Sequence, residues 1–407
     1  NSAYLSWEAV YRLQHGAKVD LRTIPAVVGG DQASRHGIVL AKSIPAKAYQ
    51  IKTGESLYSA RLKCPQLVVV PPNFSLYMKC SNALYELLQE YSPFVQRFSV
   101  DECFLLYSRE YLAGKPGDAV SAANQLRERI KKELGFTVNI GVSTNKLLAK
   151  MAGELKKPDL VHTIWPEEVP GKMWPLPVEE LFMVGRATAP KLRQMGIKTI
   201  GDLALTNPKR LELKLKSHGL LIWRYANGWD DSKFECERPF IKGIGNSTTT
   251  AFDVEDQETA QKVLLSLTEM VGYRLRQAGA CCSLVAVSIK DSKFHYSTHQ
   301  RKFATPTDST QLIYKIACEL LTEVWRQQPL RQLGVRVGEL SWNCNRQLSF
   351  FNYQEFEKQQ ALDSAIDKIR NKYGAQAIMR GVFLHSGVKP LSGGVGEEDY
   401  QMMSSFL

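Results

Sequence analysis

The chain has 407 residues, 44% of them hydrophobic and 23% charged, which is enough for several domains of an ordinary water-soluble protein. No eighteen apolar residues run together and no basic-then-apolar stretch opens the sequence, so neither a transmembrane helix nor a signal peptide is expected in it. Lys and Arg outnumber Asp and Glu by 52 to 41, a net charge of +11 that suits a polyanionic partner.

The excess is uneven. Residues 1–159 hold 21 basic against 14 acidic side chains, whereas residues 341–407 balance at 7 and 7. Eight cysteines are scattered without a CxxC pair and only seven His are present, which gives no support to a structural zinc site. They read as isolated core thiols in a reducing cytoplasm. The chain opens on Asn1 rather than Met and reads as a fragment.

In chain order, residues 1–20 suggest a strand end turning into a helix, with Tyr4, Leu5, Trp7, Val10 and Leu13 at helical spacing. Strands are expected at Ile24–Gly30, Gly37–Ala41 and Leu67–Pro72, with a helix from Ile44 to Tyr49. A helix over Asn82–Tyr91 precedes an apolar strand, Phe98–Leu106, that carries Asp101 and Glu102. The amphipathic segment Ala119–Leu134 is a long helix, Phe136–Val142 a strand, and the residues from Lys146 to Leu155 a helix capped by Ser143, Thr144 or Asn145. Alternating strands and helices predict an α/β layer over one covered sheet. Residues 164–230 are mostly helical, broken by glycine turns. Beyond Lys242, strands at Ser247–Val254, Cys282–Asp291 and Gly334–Leu340 with helices at 259–277 and 309–327 predict an α+β domain. From Trp342 the chain is helical only over Phe356–Tyr373, and its Gly/Ser-rich end reads as mobile.

Five features carry chemistry. Two adjacent carboxylates inside an apolar strand are costly unless a cation compensates them, and Mg²⁺ takes hard oxygen ligands of this kind. Lys146, Lys150 and Lys157 fall on or beyond one helix, where they could face phosphate. Lys47 offers another cation to an anion. The turn Val184-Gly185-Arg186-Ala187, followed by Lys191, resembles a helix-hairpin-helix, whose backbone N–H groups contact DNA phosphate without reading sequence. Gln347-Leu348-Ser349-Phe350-Phe351 is a polar-then-aromatic peptide of the kind that docks in a partner's groove.

In this order, Ser99-Val-Asp-Glu-Cys-Phe, Gly141-Val-Ser-Thr-Asn-Lys, Ala149-Lys-Met-Ala, Lys157-Pro158, Ser2-Ala-Tyr-Leu-Ser-Trp-Glu, Lys242-Gly-Ile-Gly and Leu333-Gly-Val resemble the Y-family translesion DNA polymerases, in particular the bacterial error-prone polymerase IV and V group. The resemblance implies an α/β and α+β multidomain right hand. Its palm would be residues 1–20 and 79–163, the fingers 21–78, the small helical thumb 164–241 and the little finger 242–341, with a clamp-binding tail over 342–407. It implies low-fidelity, template-directed insertion of dNTPs opposite damaged bases on primer–template DNA, by nucleotidyl transfer with two Mg²⁺ ions and no proofreading. Asp101 and Glu102 would be the catalytic metal ligands, Lys47 and Lys157 would hold the triphosphate, and Tyr4 would be the steric gate against ribose. Gly185, Arg186 and Lys191 would meet DNA, and Gln347, Leu348, Ser349, Phe350 and Phe351 would bind the replication sliding clamp. A bacterial, nucleoid-associated place in the SOS damage response is implied as well.

Two departures from the family pattern stand out. Aligning Tyr4 with the gate puts the family's first catalytic aspartate two residues before Asn1, so the fragment is expected to be inactive by itself. Ala41 and Ile44 replace polar residues common near the triphosphate. Two other readings remain at this point, a non-catalytic homologue acting as a clamp-bound adaptor and a nucleotidyl cyclase with a palm-like sheet.

Overall fold

The computed structural model describes residues 2–31, 35–107, 119–234, 241–342 and 353–391. The chain forms two compact units, one of residues 1–28, 40–53 and 60–238, the other of residues 29–39, 54–59 and 239–407.

The first unit opens on helix α1 (Ala3–Gln14), which starts at once rather than from a strand end. Its buried face is Leu5, Trp7 and Ala9. Strands β1 (Ala26–Gly29) and β2 (Val39–Lys42), helices α2 (Ile44–Ala48) and α3 (Leu57–Lys63) and strand β3 (Val68–Val70) follow, the strands ordered β2-β1-β3. Ser43 starts α2 by accepting from the Ala46 N–H, and Pro45 costs the first turn no hydrogen bond. Asn73 caps α4 (Phe74–Gln89) in the same way, and the helix begins eight residues before the predicted start.

Strands β4 (Val95–Arg97) and β5 (Cys103–Leu105) form an antiparallel pair. Helix α5 (Ala119–Leu134) buries Ala123, Leu126 and Ile130 at helical spacing, with the bounds its periodicity predicts. Strand β6 (Ile140–Val142) leads into α6 (Lys146–Glu154) and then β7 (Val161–Thr163), which pairs parallel to β6. The single covered sheet expected from the sequence is thus replaced, among the described residues, by a three-stranded sheet and two separate pairs. Short helices complete this unit: α7 (Val169–Lys172), α8 (Ala189–Gln194), α9 (Ile200–Leu205), α10 (Pro208–Leu215) and α11 (Ser217–Ala226). Their core, including Ile164, Met173, Leu192, Ile200, Leu211 and Ile222, is continuous with Leu147, Leu148 and Met151 of α6.

The second unit holds β8 (Gly243–Val254), α12 (Gln257–Gln277), β9 (Cys281–Asp291), β10 (Tyr296–Thr307), α13 (Thr310–Val324), β11 (Leu330–Ser341) and α14 (Tyr353–Tyr373). Its antiparallel sheet runs β10-β9-β11-β8. Val285, Val287 and Ile289 of β9 and Leu333, Val335 and Val337 of β11 alternate onto one face and join the core with Leu264, Leu267, Ile313 and Leu320 of the helices. Strand β10 escaped the sequence reading because only Thr307 among its residues is buried.

The helix expected over Phe356–Tyr373 appears as α14, docked on α12, and the Gly/Ser-rich end lies outside the described residues. Arg276 of α12 holds Asp367 at 2.6 Å and Asp363 at 3.4 Å, while Glu269 of α12, 2% exposed, accepts from Arg370 and Arg380 at 3.2 and 2.7 Å. Phe383 and Val388 then enter the core. Breaking one partner of such a buried group leaves an uncompensated charge, so these pairs specify where α14 docks. The reading of all eight cysteines as isolated thiols is also corrected: Cys281 is disulfide-bonded, to a residue outside the described ones, whereas Cys64, Cys80, Cys103, Cys282 and Cys318 are free.

Candidate active site

The two carboxylates do not lie inside a strand. β4 and β5 pair with Arg97 opposite Cys103, so the chain reverses over residues 98–102, and the N–H groups of Phe98 and Ser99 donate to the Glu102 carbonyl at 2.9 and 3.1 Å. Asp101 and Glu102 therefore stand on the turn of a hairpin, where both can reach solvent without the cost of a central strand. Phe98 and Phe104 meet edge to face at 5.5 Å, and Val100 is buried, which anchors the turn. Asp101 accepts from the Ser99 hydroxyl at 2.9 Å and is otherwise open. Cys103 beside them is inert, because burial pushes its thiol up to about 12.

Helix α6 passes close by. Asn145 is its cap, accepting from the Leu148 N–H at 2.8 Å. Of the three lysines read as phosphate-facing, two are committed internally. Lys146 donates to the Lys233 carbonyl at 2.7 Å and to Gln96 at 3.2 Å, and Lys150 donates to both carboxylate oxygens of Glu102 at 2.8 Å. Lys157 remains at the surface, paired with Glu154 at 2.7 Å. Its loop is shaped from below, since Asn139 donates to the Lys156 carbonyl at 2.7 Å and Arg127 to the Asp159 carbonyl at 2.6 Å. Lys47 lies exposed on α2. Tyr4, half-buried on α1, stacks on Tyr77 with ring centroids 4.4 Å apart and planes at 7°, and meets the edge of Phe74.

Residues 182–188 make a turn ahead of α8, closed by the N–H groups of Thr188 and Ala189 on the Gly185 carbonyl. Gly185, Arg186 and Lys191 are exposed, beside a shallow concavity lined by Val184, Ala189, Pro190 and Arg193. The peptide Gln347–Phe351 lies outside the described residues.

One surface escaped the sequence reading. On the sheet face opposite α12 and α13, the register sets Gly334 against Ser288 and Thr298, and Arg336 against Ala286 and Gln300. Gly334 is buried, and a Cβ there would come within 2.5 Å of the Ser288 hydroxyl and 3.0 Å of Ser247 Cβ, so the glycine lets the neighbouring strands' side chains close over it, with Arg336 exposed two residues on. Small groups and a cation on a flat face suit a phosphate backbone. The signal was present in the alternation of apolar Leu333, Val335 and Val337 with Gln332, Gly334, Arg336 and Gly338.

The chemistry of the carboxylate turn fits a hard divalent cation. Asp101 faces solvent while Glu102, part-exposed beside it, is held by Lys150, and Mg²⁺ is commonly shared between one or two carboxylates and substrate phosphates. Among the described residues no third His, Cys, Asp or Glu joins these two. No helix among them is long and apolar enough to cross a membrane.

Residues 1–154 match the impB/mucB/samB family, residues 241–350 the C-terminal domain of that family and residues 166–197 the IMS family HHH motif. The chain is 46% identical to a DNA polymerase IV of Clostridium acetobutylicum over 96% of its length and 98% of that protein's. It is 40% identical to a DNA polymerase IV of Acetivibrio thermocellus, over 94% and 96% of the two. Among solved structures, a Y-family DNA polymerase chimera of Dbh and Dpo4 shares the fold with a TM-score of 0.70 at 21% identity, covering 84% of this chain and 98% of that one.

Proposed function

The chain belongs to the impB/mucB/samB family, within the Y-family DNA polymerases, and we propose that it is a template-directed translesion polymerase that adds dNTPs to a primer opposite damaged bases. The observation that carries this reading is the pair Asp101–Glu102 displayed on a turn beside α6, in a chain whose relatives are DNA polymerases IV along nearly their full length. An adaptor without catalysis has no use for that turn.

Asp101 and Glu102 would hold Mg²⁺, which when bound activates the primer 3′-oxygen and offsets charge on the phosphates. The residues of the chain do the rest by position. Lys157, on its shaped loop, exchanges Glu154 for a triphosphate oxygen, and Lys47 supplies a second cation to the same group. The turn at Gly185 and Arg186, with Lys191 behind it, holds DNA phosphate, and so does the sheet face that displays Arg336. Such contacts are blind to sequence and weaken with salt. The assay is direct: the gene-encoded protein lengthens a labelled primer on an undamaged template only when dNTPs are present, and its DNA affinity falls steeply with salt. No dNTP-dependent lengthening contradicts the reading.

Tyr4 acts as the steric gate. Stacking on Tyr77 and the edge of Phe74 keeps its ring from swinging aside. Because rejection by clash vanishes with the ring, Tyr4→Ala is expected to raise ribonucleotide insertion about a hundredfold while dNTP insertion falls less than about tenfold. Parent-like rejection of ribonucleotides would make Tyr4 a packing residue only.

Gln347–Phe351 recruits the sliding clamp. Gln347→Ala with Leu348→Ala is expected to remove clamp binding in a titration yet leave distributive extension unchanged, because tethering acts through effective concentration. Unaltered clamp affinity would remove this assignment.

A further inference from the structure

Lys150 grips Glu102 at two points, with Nζ 2.8 Å from each carboxylate oxygen. An exposed Lys–Glu pair contributes little. This lysine is only 16% exposed, and it lies over the seam of two touching rings, 5.0 Å from the centroid of Phe98 and 5.5 Å from that of Phe182. The rings themselves meet at 5.9 Å, and Phe182 stacks on Tyr225 of α11 at 6.2 Å. Burial of the lysine strengthens its contact with the ring faces, while Glu102, 38% exposed, keeps the ion pair partly screened. Phe182 lies three residues before Gly185 of the phosphate-facing turn. One side chain on α6 thus joins a carboxylate of the catalytic turn to the root of the helix-hairpin-helix.

We propose that Lys150 is a positioning residue of this polymerase, one that fixes the orientation of Glu102 and, through Phe182, ties that orientation to the DNA-holding turn. The inference rests on the polymerase reading given above. Two opposed consequences follow from its charge. A fixed cation beside Glu102 repels a divalent ion, so it weakens metal binding, while it also aims the carboxylate, so it speeds the chemical step. A residue that merely supports the fold would move both quantities in the same direction.

The test compares the gene-encoded protein with its Lys150→Met, Lys150→Arg and Phe182→Leu variants. Mn²⁺ affinity is read by electron paramagnetic resonance without substrates, and dNTP incorporation is read in single turnovers. Removing the repelling charge in Lys150→Met is expected to tighten Mn²⁺ about threefold to tenfold. Misorientation is expected to slow its incorporation at least about tenfold, with KM for dNTP within about twofold of the parent. Lys150→Arg keeps charge and grip and stays close to the parent in both. Phe182→Leu keeps the charge but loses one wall, so incorporation slows about threefold or more with Mn²⁺ affinity unchanged. Weaker or unchanged Mn²⁺ binding in Lys150→Met, or a parent-like rate, overturns the positioning role. If Lys150→Met melts early, a parent-like rate in Phe182→Leu overturns it instead. Absence of extension in the parent would count against the polymerase reading, and the Mn²⁺ titration still reports on the pair.

Discussion

Primer extension is expected to fall by roughly a thousandfold or more when Asp101 is replaced by Asn, with DNA affinity and melting temperature almost unchanged. The asymmetry follows from where the side chain lies. Asp101 is exposed on the turn between β4 and β5 and accepts from the Ser99 hydroxyl, a bond that the Asn carbonyl oxygen accepts equally well. The turn itself is closed by backbone bonds to the Glu102 carbonyl and by the packing of Phe98 on Phe104, neither of which involves the carboxylate. What Asn removes is the negative charge, and with it a hard ligand that no other described residue replaces. The proposed phosphate contacts are at Gly185 and Arg336, away from the carboxylate, so binding is expected to persist. Measured together, extension, DNA affinity and thermal melting separate this from a folding defect. Robust extension by Asp101→Asn would show that the turn is not the catalytic one.

Gly141→Ala is expected to destabilise the first unit by about 3–5 kcal/mol, read as an early unfolding transition in urea or on heating. Strand β6 and helix α6 approach each other backbone to backbone here. A Cβ at Gly141 would lie 1.8 Å from the Ala149 carbonyl oxygen and 2.6 Å from the Gly153 nitrogen. No rotamer relieves a clash with backbone, so the helix must move away from the strand. That movement carries Lys150 from Glu102 and disturbs the loop before Lys157, and extension is expected to fall with stability. Gly185→Ala is the control. A Cβ there meets nothing within 4 Å, so stability is expected to change by less than about 0.5 kcal/mol, while DNA binding weakens if phosphate approaches that backbone. Equal stability of Gly141→Ala and the parent would contradict the close packing described.

Much of this was legible in the residues. The family match, the right-hand fold and the polymerase function agree with the reading of Ser99-Val-Asp-Glu-Cys-Phe and Gly141-Val-Ser-Thr-Asn-Lys. The helix Ala119–Leu134 appears with its predicted bounds because one apolar stripe repeats cleanly along it. The turn that carries Asp101 and Glu102 was misplaced for a physical reason. Phe98, Val100, Phe104 and Leu105 give the alternation of a strand, which outweighs the turn-forming Ser99 and Asp101 among them. Backbone bonds to the Glu102 carbonyl, invisible to side-chain patterning, make the turn. Lys146 and Lys150 illustrate a second limit. A lysine on a helix looks the same in sequence whether it faces phosphate or a carboxylate 48 residues away. Strand β10 was missed because it is polar on both faces, and the docking of α14 because nothing in its own residues marks that Asp367 and Arg370 find buried partners on α12.

The central claim is that Asp101 and Glu102 serve insertion opposite damaged template bases. Its most direct test is primer extension by the gene-encoded protein on a template with one abasic site, without accessory subunits. The account predicts dNTP insertion opposite the lesion and extension beyond it, with mismatched termini left uncorrected and all product absent in Asp101→Asn. Arrest one nucleotide before the abasic site, under conditions where the undamaged template is copied, would contradict it.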